Sequence, residues 1–166
     1  MVSKTLKIVD EGDISIGMDE DARTKVAKPL SKFLATTYTL YMQSLYYHWN
    51  VTGKQFVSLH ELFEKHYENL HAAGDELAER VRALGHFCPG TYKEFSELSS
   101  IEEQVGVPNA EEMVQNLLTN HQVASREARK VLETAESVGD EVTIDMMVER
   151  MTFHDEAAWM LRSIIE

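Results

Sequence analysis

The chain has little cysteine, little positive charge and no long apolar run, and each of these shortages excludes a class of structure or binding partner. Its single cysteine, Cys88, rules out a disulfide within the chain and fits a reducing cytoplasm. Sixteen basic residues stand against 28 acidic ones, a formal net charge of −12 that opposes binding to nucleic acid and anionic membranes and favours cations. No stretch approaches the roughly 18 apolar residues that a membrane span needs. Residues 1–20 carry no signal-peptide pattern, so we expect a cytoplasmic protein.

The length of 166 residues predicts one domain with enough mass to bury a core. Residues 1–18 are predicted to form a polar arm of weak structure, in which Ile14 and Ile16 alternate like a short extended segment. Two lysines of the arm are offset by three acids before residue 14. We therefore divide the chain into an N-terminal arm, residues 1–18, and a helical domain, residues 19–166.

Apolar residues recur at helical spacing through most of this domain, which predicts four long amphipathic helices. The expected helices cover residues 19–50, 58–85, 109–137 and 140–164, with a short helix, Tyr92–Leu98, between the second and the third. Pro29 lies inside the first helix, where we expect a kink or a helix that effectively begins at the proline. Four long helices with one long crossover describe an all-α, ferritin-like four-helix bundle.

Candidate metal ligands concentrate between residues 46 and 84. They are His48, His60, Glu64, Asp75 and Glu79. On a helical wheel the last four fall, together with His71, in an arc of roughly 100° on a different face from the apolar stripe. His48 precedes the turn at residues 50–55, so it could fold back beside His60. Imidazole and carboxylate ligands suit iron.

The spacing of these residues predicts that the site is shared between two chains. His60 and Asp75 are fifteen residues apart, which on a straight helix is about 22 Å, too far to bind one ion. Asp75 and Glu79, four residues apart, lie one turn from each other. If two copies of the helix pack antiparallel about a two-fold axis near residues 67–70, His60 of one copy meets Asp75 and Glu79 of the other, and symmetry produces two identical sites.

Several motifs resemble one known family. The segments are HWNVTG at 48–53, LHELFE at 59–64, the Asp75-x3-Glu79 pair, GTYKEFSELSSI at 90–101 and HDEAAWMLRS at 154–163. Together they resemble the Dps family, the DNA-binding proteins from starved cells, which are small ferritin-like ferroxidases. The resemblance covers about residues 22–165, and the intervals from His48 to Glu79 all match the family's site.

The resemblance implies a ferroxidase and iron-storage mini-ferritin that protects against oxidative stress. It implies a dodecameric shell built from two-fold dimers, in which Fe(II) is oxidised, preferably by hydrogen peroxide, and stored as ferric oxide. The catalytic ligands of a two-iron site between subunits would be His48, His60, Asp75 and Glu79, with Glu64 as a further metal ligand. Acids near the start of the last helix would line pores through which iron enters: Asp140, Asp145 and Glu149. Alternatively, these three acids only stabilise the N-terminus of the last helix, where negative charge is favourable.

Three rival functions remain open at this point. DNA compaction needs clustered lysine and arginine, and here the arm has few bases and the chain ends without a basic tail, so we expect weak or no DNA binding. A non-catalytic metal-sequestering shell would bind Fe(II) without accelerating its oxidation. A di-iron oxygenase in a monomeric bundle would need ligands that face the bundle core, and the wheel places them elsewhere.

Two short motifs in the same stretch are set aside. Glu68-x-x-His71 has the spacing of the di-iron motif inside larger ferritins, but that site needs two copies and the chain has one. The segment from His60 to Glu64 resembles the zinc-protease motif, but Glu64 stands where the second histidine is required.

The remaining histidines are not expected to bind metal. Three of them are predicted to lie at the surface or at an interface: His66, His71 and His86. His121 lies in the apolar stripe of the third long helix, so it is expected in the core or at an interface. No role follows for His154. Trp49 is expected to pack beside the metal site.

Overall fold

The computed structural model describes residues 14–166, and this part of the chain is all-α. Its five helices are α1 (Glu20–Asn50), α2 (Phe56–Ala83), α3 (Tyr92–Leu98), α4 (Ala110–Glu136) and α5 (Glu141–Ile165). The prediction of four long helices with a short one in the crossover is therefore confirmed. The second helix begins at Phe56, two residues before the predicted start.

The first helix shows how local chemistry sets its start. Asp19 is the N-cap, and its side chain accepts a hydrogen bond from the Ala22 backbone N–H at 2.8 Å. Acids follow in the first turn, where the helix dipole favours them. α1 continues through Pro29 without interruption, so the expectation that the helix effectively begins at the proline is wrong. Packing of the buried residues on either side, Ala27 and Leu30, offsets the missing hydrogen bond.

Two later helices begin with reciprocal capping boxes. Thr91 caps α3 and Asn109 caps α4, and each N-cap backbone N–H is bound in return by a glutamate three residues on, Glu94 or Glu112. The predicted capping of the third long helix by Asn109 and Glu112 is thus confirmed.

The bundle is made of two helical hairpins. α1 packs along α2, and α4 packs along α5, while α1 and α4 join the two pairs across a shared core. The short α3 lies in the crossover and packs against α1. Tyr47, Phe33 and Phe63 are the largest fully buried side chains of this core. The arrangement leaves one long face of α2 outside the core, and four of the five candidate ligands lie on α2, while His48 lies near the end of α1.

Residues before α1 are held against the domain by one arginine. Arg23 Nη1 donates to the backbone carbonyls of Ile14 and Met18 at 2.9 and 3.1 Å. Ile14 is half-buried and its Cδ1 reaches Gly85, whereas Ile16 is exposed. Most of the predicted N-terminal arm, residues 1–13, lies outside the described residues, so the division at residue 18 stays a prediction.

Within residues 14–166, none of the helices combines the length and the apolar character needed to cross a membrane.

Candidate metal centre

The turn between α1 and α2 brings His48 and His60 together. Their rings are stacked, with centroids 3.7 Å apart and an angle of 18° between the planes. The turn is short, and Gly53 within it has a φ of 107°, a conformation that favours glycine. The prediction that His48 folds back beside His60 therefore agrees with the geometry of the chain.

Each of these histidines is oriented by the backbone of the other. His48 Nδ1 lies 2.9 Å from the carbonyl oxygen of His60, and His60 Nδ1 lies 2.9 Å from the carbonyl oxygen of His48. A carbonyl only accepts hydrogen bonds, so both Nδ1 atoms carry the proton. In the neutral rings the lone pair is then on Nε2, which is the form that binds metal ions, and the hydrogen bond fixes the orientation of the ring.

Glu64 lies one turn beyond His60 and is half-buried. Its Oε1 accepts a hydrogen bond of 3.2 Å from the hydroxyl of Tyr67, whose ring stands edge-on to His48 with centroids 5.2 Å apart. Partial desolvation and the charge of Glu64 raise the pKa of Tyr67, which keeps the phenol protonated. Sequence reasoning missed this tyrosine as part of the site, although the i, i+3 spacing from Glu64 was a signal for it.

Asp75 and Glu79 lie farther along α2 and are exposed on its surface. Among residues 14–166 of one chain, no three histidine, cysteine, aspartate or glutamate side chains are grouped so that they could hold a metal ion. The five candidate ligands thus fall into two half-sites: a histidine half-site, where His48 of α1 meets His60 of α2 with Glu64 one turn beyond, and a carboxylate half-site, Asp75 and Glu79 of α2.

One exposed apolar side chain, Phe56, lies beside the histidine half-site, whereas Trp49 lines a pocket with Tyr46 and Gln104. Trp49 is 61% exposed, Val57 64% and Phe56 43%, and the ring of Phe56 lies 5.1 Å from that of His60. Trp49 follows His48 in the chain, but no ring contact joins the two in the described structure.

Three other histidines lie together in the bundle core. His66, His121 and His154 are almost fully buried, with ring centroids 4.7 Å apart for the first two and 5.2 Å for the last two. Burial lowers the pKa of His66 to about 4, and burial with the nearby Arg150 lowers the pKa of His154 to about 3. The pKa of His121 is likewise well below its usual value because it is buried.

The structure corrects the predicted positions of two histidines and agrees with those of two others. His66 was expected at the surface or at an interface, but it lies in the core. The side of α2 that carries His66 packs against α4 and α5, as the apolar stripe of α2 packs into the core. His86 is also buried, beside the Thr24 hydroxyl at 3.2 Å, so its predicted surface position is wrong. His71 is exposed as predicted, and His121 is a core residue as predicted.

The three acids predicted to line an iron-entry pore differ in their surroundings. Asp140 is buried, accepts a hydrogen bond of 2.6 Å from Arg80, and caps α5 through Thr143. Asp145 is exposed, and Glu149 is exposed and pairs with Arg150 at 2.9 Å. A buried, paired and capping carboxylate is not free to meet a passing cation, whereas Asp145 and Glu149 are accessible on this chain.

The fold and the paired half-sites define a protein of the ferritin-like class. The family model for the ferritin-like domain matches residues 27–166 of the chain. A solved Dps structure from Vibrio cholerae, described as belonging to a superfamily of ferritin-like diiron-carboxylate proteins, superimposes with a TM-score of 0.88 at 30% identity, covering 92% of this chain and 96% of that one. The Dps structure from Staphylococcus aureus has a TM-score of 0.82 at 34% identity, over 85% and 95% of the two chains.

Sequence comparison narrows the class to one family. DNA protection during starvation protein 2 of Bacillus anthracis is 36% identical over 141 residues, which are 85% of this chain and 97% of that protein. A low temperature-induced protein of Nostoc is 41% identical over 155 residues, 92% of this chain and 87% of that protein. The chain belongs to the Dps family of ferritin-like proteins.

Proposed function

We propose that this protein is a ferroxidase and iron-storage mini-ferritin, which oxidises Fe(II) at sites shared between two subunits. The observation that carries the proposal is the division of the ligands on α2. His48 and His60 are oriented for metal binding, yet His60 lies about 22 Å along the helix from Asp75, since they are fifteen residues apart and each residue adds about 1.5 Å. A second copy of α2, antiparallel to the first, supplies the missing carboxylates on both sides at once.

The residues fit the chemistry of iron oxidation. Two neutral imidazoles hold Fe(II) through Nε2, and the carboxylates of Asp75, Glu79 and Glu64 offset the rise in positive charge when Fe(II) becomes Fe(III). With two Fe(II) ions as substrate, hydrogen peroxide receives one electron from each ion and two protons from the solvent, and leaves as two waters. Tyr67 keeps Glu64 oriented while the ions bind.

The proposal extends to the assembly. A dodecameric shell of two-fold dimers in the cytoplasm would store ferric oxide inside and so protect the cell against oxidative stress. Fe(II) would enter past exposed acids near the start of α5. Asp145 and Glu149 keep this assignment, whereas Asp140 is better explained as the cap of α5 and partner of Arg80.

The experiment is anaerobic oxidation of Fe(II) by added hydrogen peroxide, followed by absorbance, in the wild type and in Asp75→Ala. We expect fast oxidation in the wild type and a loss of at least tenfold in the variant, with the size of the assembly unchanged. Glu76→Ala is the matched control, because Glu76 is an exposed acid next to Asp75 in the chain and lies outside the candidate ligand set. If the wild type is no faster than buffer, the protein is a binder or scaffold, not a ferroxidase.

A further inference from the structure

Three tyrosine rings form a chain that begins at the candidate iron site. Tyr67 of α2 stands beside His48, with ring centroids 5.2 Å apart. Tyr41 of α1 lies 6.4 Å from Tyr67, and Tyr38, one turn earlier in α1, lies 6.1 Å from Tyr41. These separations are those of aromatic side chains in direct contact. The three rings therefore lead, step by step, from the histidine half-site along the seam between α1 and α2.

The first tyrosine of this chain has a proton acceptor on its hydroxyl. Tyr67 donates its hydroxyl proton toward Glu64 Oε1 at 3.2 Å. A phenol loses an electron most easily when its proton leaves at the same time, and a carboxylate at hydrogen-bond distance can take that proton. Tyr67 thus combines a ring next to a metal-binding histidine with a base positioned on its hydroxyl.

The far end of the chain is held rigidly. The Tyr38 ring stacks on Phe95 of α3, with centroids 4.8 Å apart and planes 8° from parallel. On its other side Tyr38 lies against Gly74, where an added Cβ would stand only 2.9 Å from Tyr38 Cε2. The glycine in the middle of α2 leaves room for the ring, although glycine is a poorer helix former than alanine.

We propose that Tyr67 donates an electron to hydrogen peroxide when the site holds a single Fe(II), and that Tyr41 and Tyr38 share the resulting radical. This inference rests on the proposed ferroxidase function and extends it. Peroxide needs two electrons and two protons to break its O–O bond and form two waters. One Fe(II) supplies the first electron and becomes Fe(III). Tyr67 supplies the second electron and, through Glu64, one proton, and the solvent supplies the other proton.

The tyrosine is restored by the reaction's own substrate. The next Fe(II) to arrive gives one electron to the phenoxyl radical, which takes up one proton and becomes the phenol again. Without Tyr67 a site with one Fe(II) has a single electron to give, and peroxide then splits into hydroxide and a hydroxyl radical. The tyrosine chain would therefore supply the second electron to peroxide whenever a site holds only one Fe(II).

The test is electron paramagnetic resonance on the whole assembled protein, frozen shortly after peroxide is added to sites loaded with half their Fe(II). We expect a tyrosyl signal in the wild type that narrows when the protein contains ring-deuterated tyrosine, which separates it from a signal on Trp49. Tyr67→Phe keeps the ring beside His48 but removes the hydroxyl. It should lower the signal at least fivefold and raise the hydroxyl radical detected by a spin trap.

The matched control is Tyr92→Phe, since Tyr92 is 80% exposed and lies on α3. It should match the wild type in both measurements. The inference is overturned if the wild type oxidises Fe(II) but shows no tyrosyl signal, or if Tyr67→Phe gives the wild-type signal. Fe(II) oxidation recorded in the same samples separates this result from failure of the ferroxidase proposal. If that proposal fails, the wild type will not oxidise Fe(II) faster than buffer, and the tyrosine role fails with it.

Discussion

The two histidines at the α1–α2 turn show what residue chemistry contributes to the candidate site. His48 and His60 fix each other's rings through backbone carbonyls, so the site does not need another side chain to select the tautomer. The sequence predicted that the two would meet, because a short turn brings the ends of two helices together. It did not predict the reciprocal hydrogen bonds, since these depend on the rotation of both rings and not on spacing.

Asp140 has a structural role, whereas other acids near the start of α5 are exposed. Asp140→Ala removes the partner of the mostly buried Arg80 and the cap of α5, so we expect the free energy of unfolding to fall by about 3 kcal/mol. Asp145→Ala removes an exposed carboxylate and should change stability by less than about 0.5 kcal/mol. Denaturant unfolding of both variants measures the difference. Equal stability of the two would contradict the structural role of Asp140.

The core histidines predict a loss of stability in acid. The pKa of His66 is about 4 when folded and about 6.5 when unfolded, so between these values the unfolded chain binds more protons. The stability from this group is complete above pH 6.5 and is lost as the pH falls toward 4, by about 3 kcal/mol for His66. His121 and His154 act in the same direction.

Thermal unfolding between pH 7 and pH 4 measures this effect. His154→Leu should flatten the decrease in Tm, because it removes one buried group that gains a proton on unfolding. His71→Gln should leave the slope unchanged, because His71 is exposed. A wild-type Tm that does not fall over this range would show that the three rings are not buried in the neutral form.

At the scale of the helix, local sequence signals predicted most of the residues at which helices begin and end. Tertiary packing decided the features that these signals did not predict. The caps at Asn109 and Thr91 follow from short-range hydrogen bonds, so the helix starts near them were predictable. Of the two alternatives for Pro29, a helix that begins at the proline is wrong, because the packing of α1 against α2 and α4 outweighs a lost hydrogen bond. His66 was misplaced because its neighbours in space come from α4 and α5, which the periodicity of α2 alone does not reveal.

The glycines after two helices give a matched pair for a prediction about helix ends. Gly85 has a φ of 87° and an added Cβ would lie 2.5 Å from Ile14 Cδ1, whereas Gly139 has a φ of 70° and only a distant contact. Gly139→Ala should therefore cost about 1 kcal/mol for the backbone alone, and Gly85→Ala about 2 kcal/mol, since Ile14 must also move. Denaturant unfolding compares them. Equal losses would mean that Ile14 does not rest on Gly85.

For the whole molecule, charge argues against DNA compaction even though relatives carry DNA protection in their names. The net charge is −12, and several described bases are paired with acids: Lys32 with Glu127, Arg80 with Asp140, Arg129 with Asp155 and Arg150 with Glu149. Phosphate binding needs clustered free bases. We expect no gel shift of duplex DNA at physiological salt.

A charge-reversed variant serves as the positive control for DNA binding in the gel-shift assay. Glu133→Lys with Glu136→Lys replaces two exposed acids near the end of α4 and should increase DNA retardation at low salt. Clear retardation by excess wild-type protein at physiological salt would reopen DNA compaction as a function.

In the proposed assembly, the two half-sites that meet belong to different subunits. Asp75 and Glu79 are too far along α2 from His60 to share one ion with it in the same chain, and this distance follows from the sequence alone. The sequence therefore predicted a divided site, but the partner helix and its angle depend on contacts between copies. The exposed Phe56, whose ring lies 5.1 Å from that of His60, lies where the proposed dimer would place such contacts.

The most direct test of the shared site is complementation between two inactive variants. His60→Ala and Asp75→Ala chains are assembled separately and together, and peroxide-driven Fe(II) oxidation is measured for all three preparations. In a mixed two-fold dimer one site carries both substitutions and the other carries neither, so random mixing restores about a quarter of the wild-type sites. We expect the mixture to recover about that fraction of wild-type activity. A mixture as inactive as its two parents would contradict a site built from two subunits.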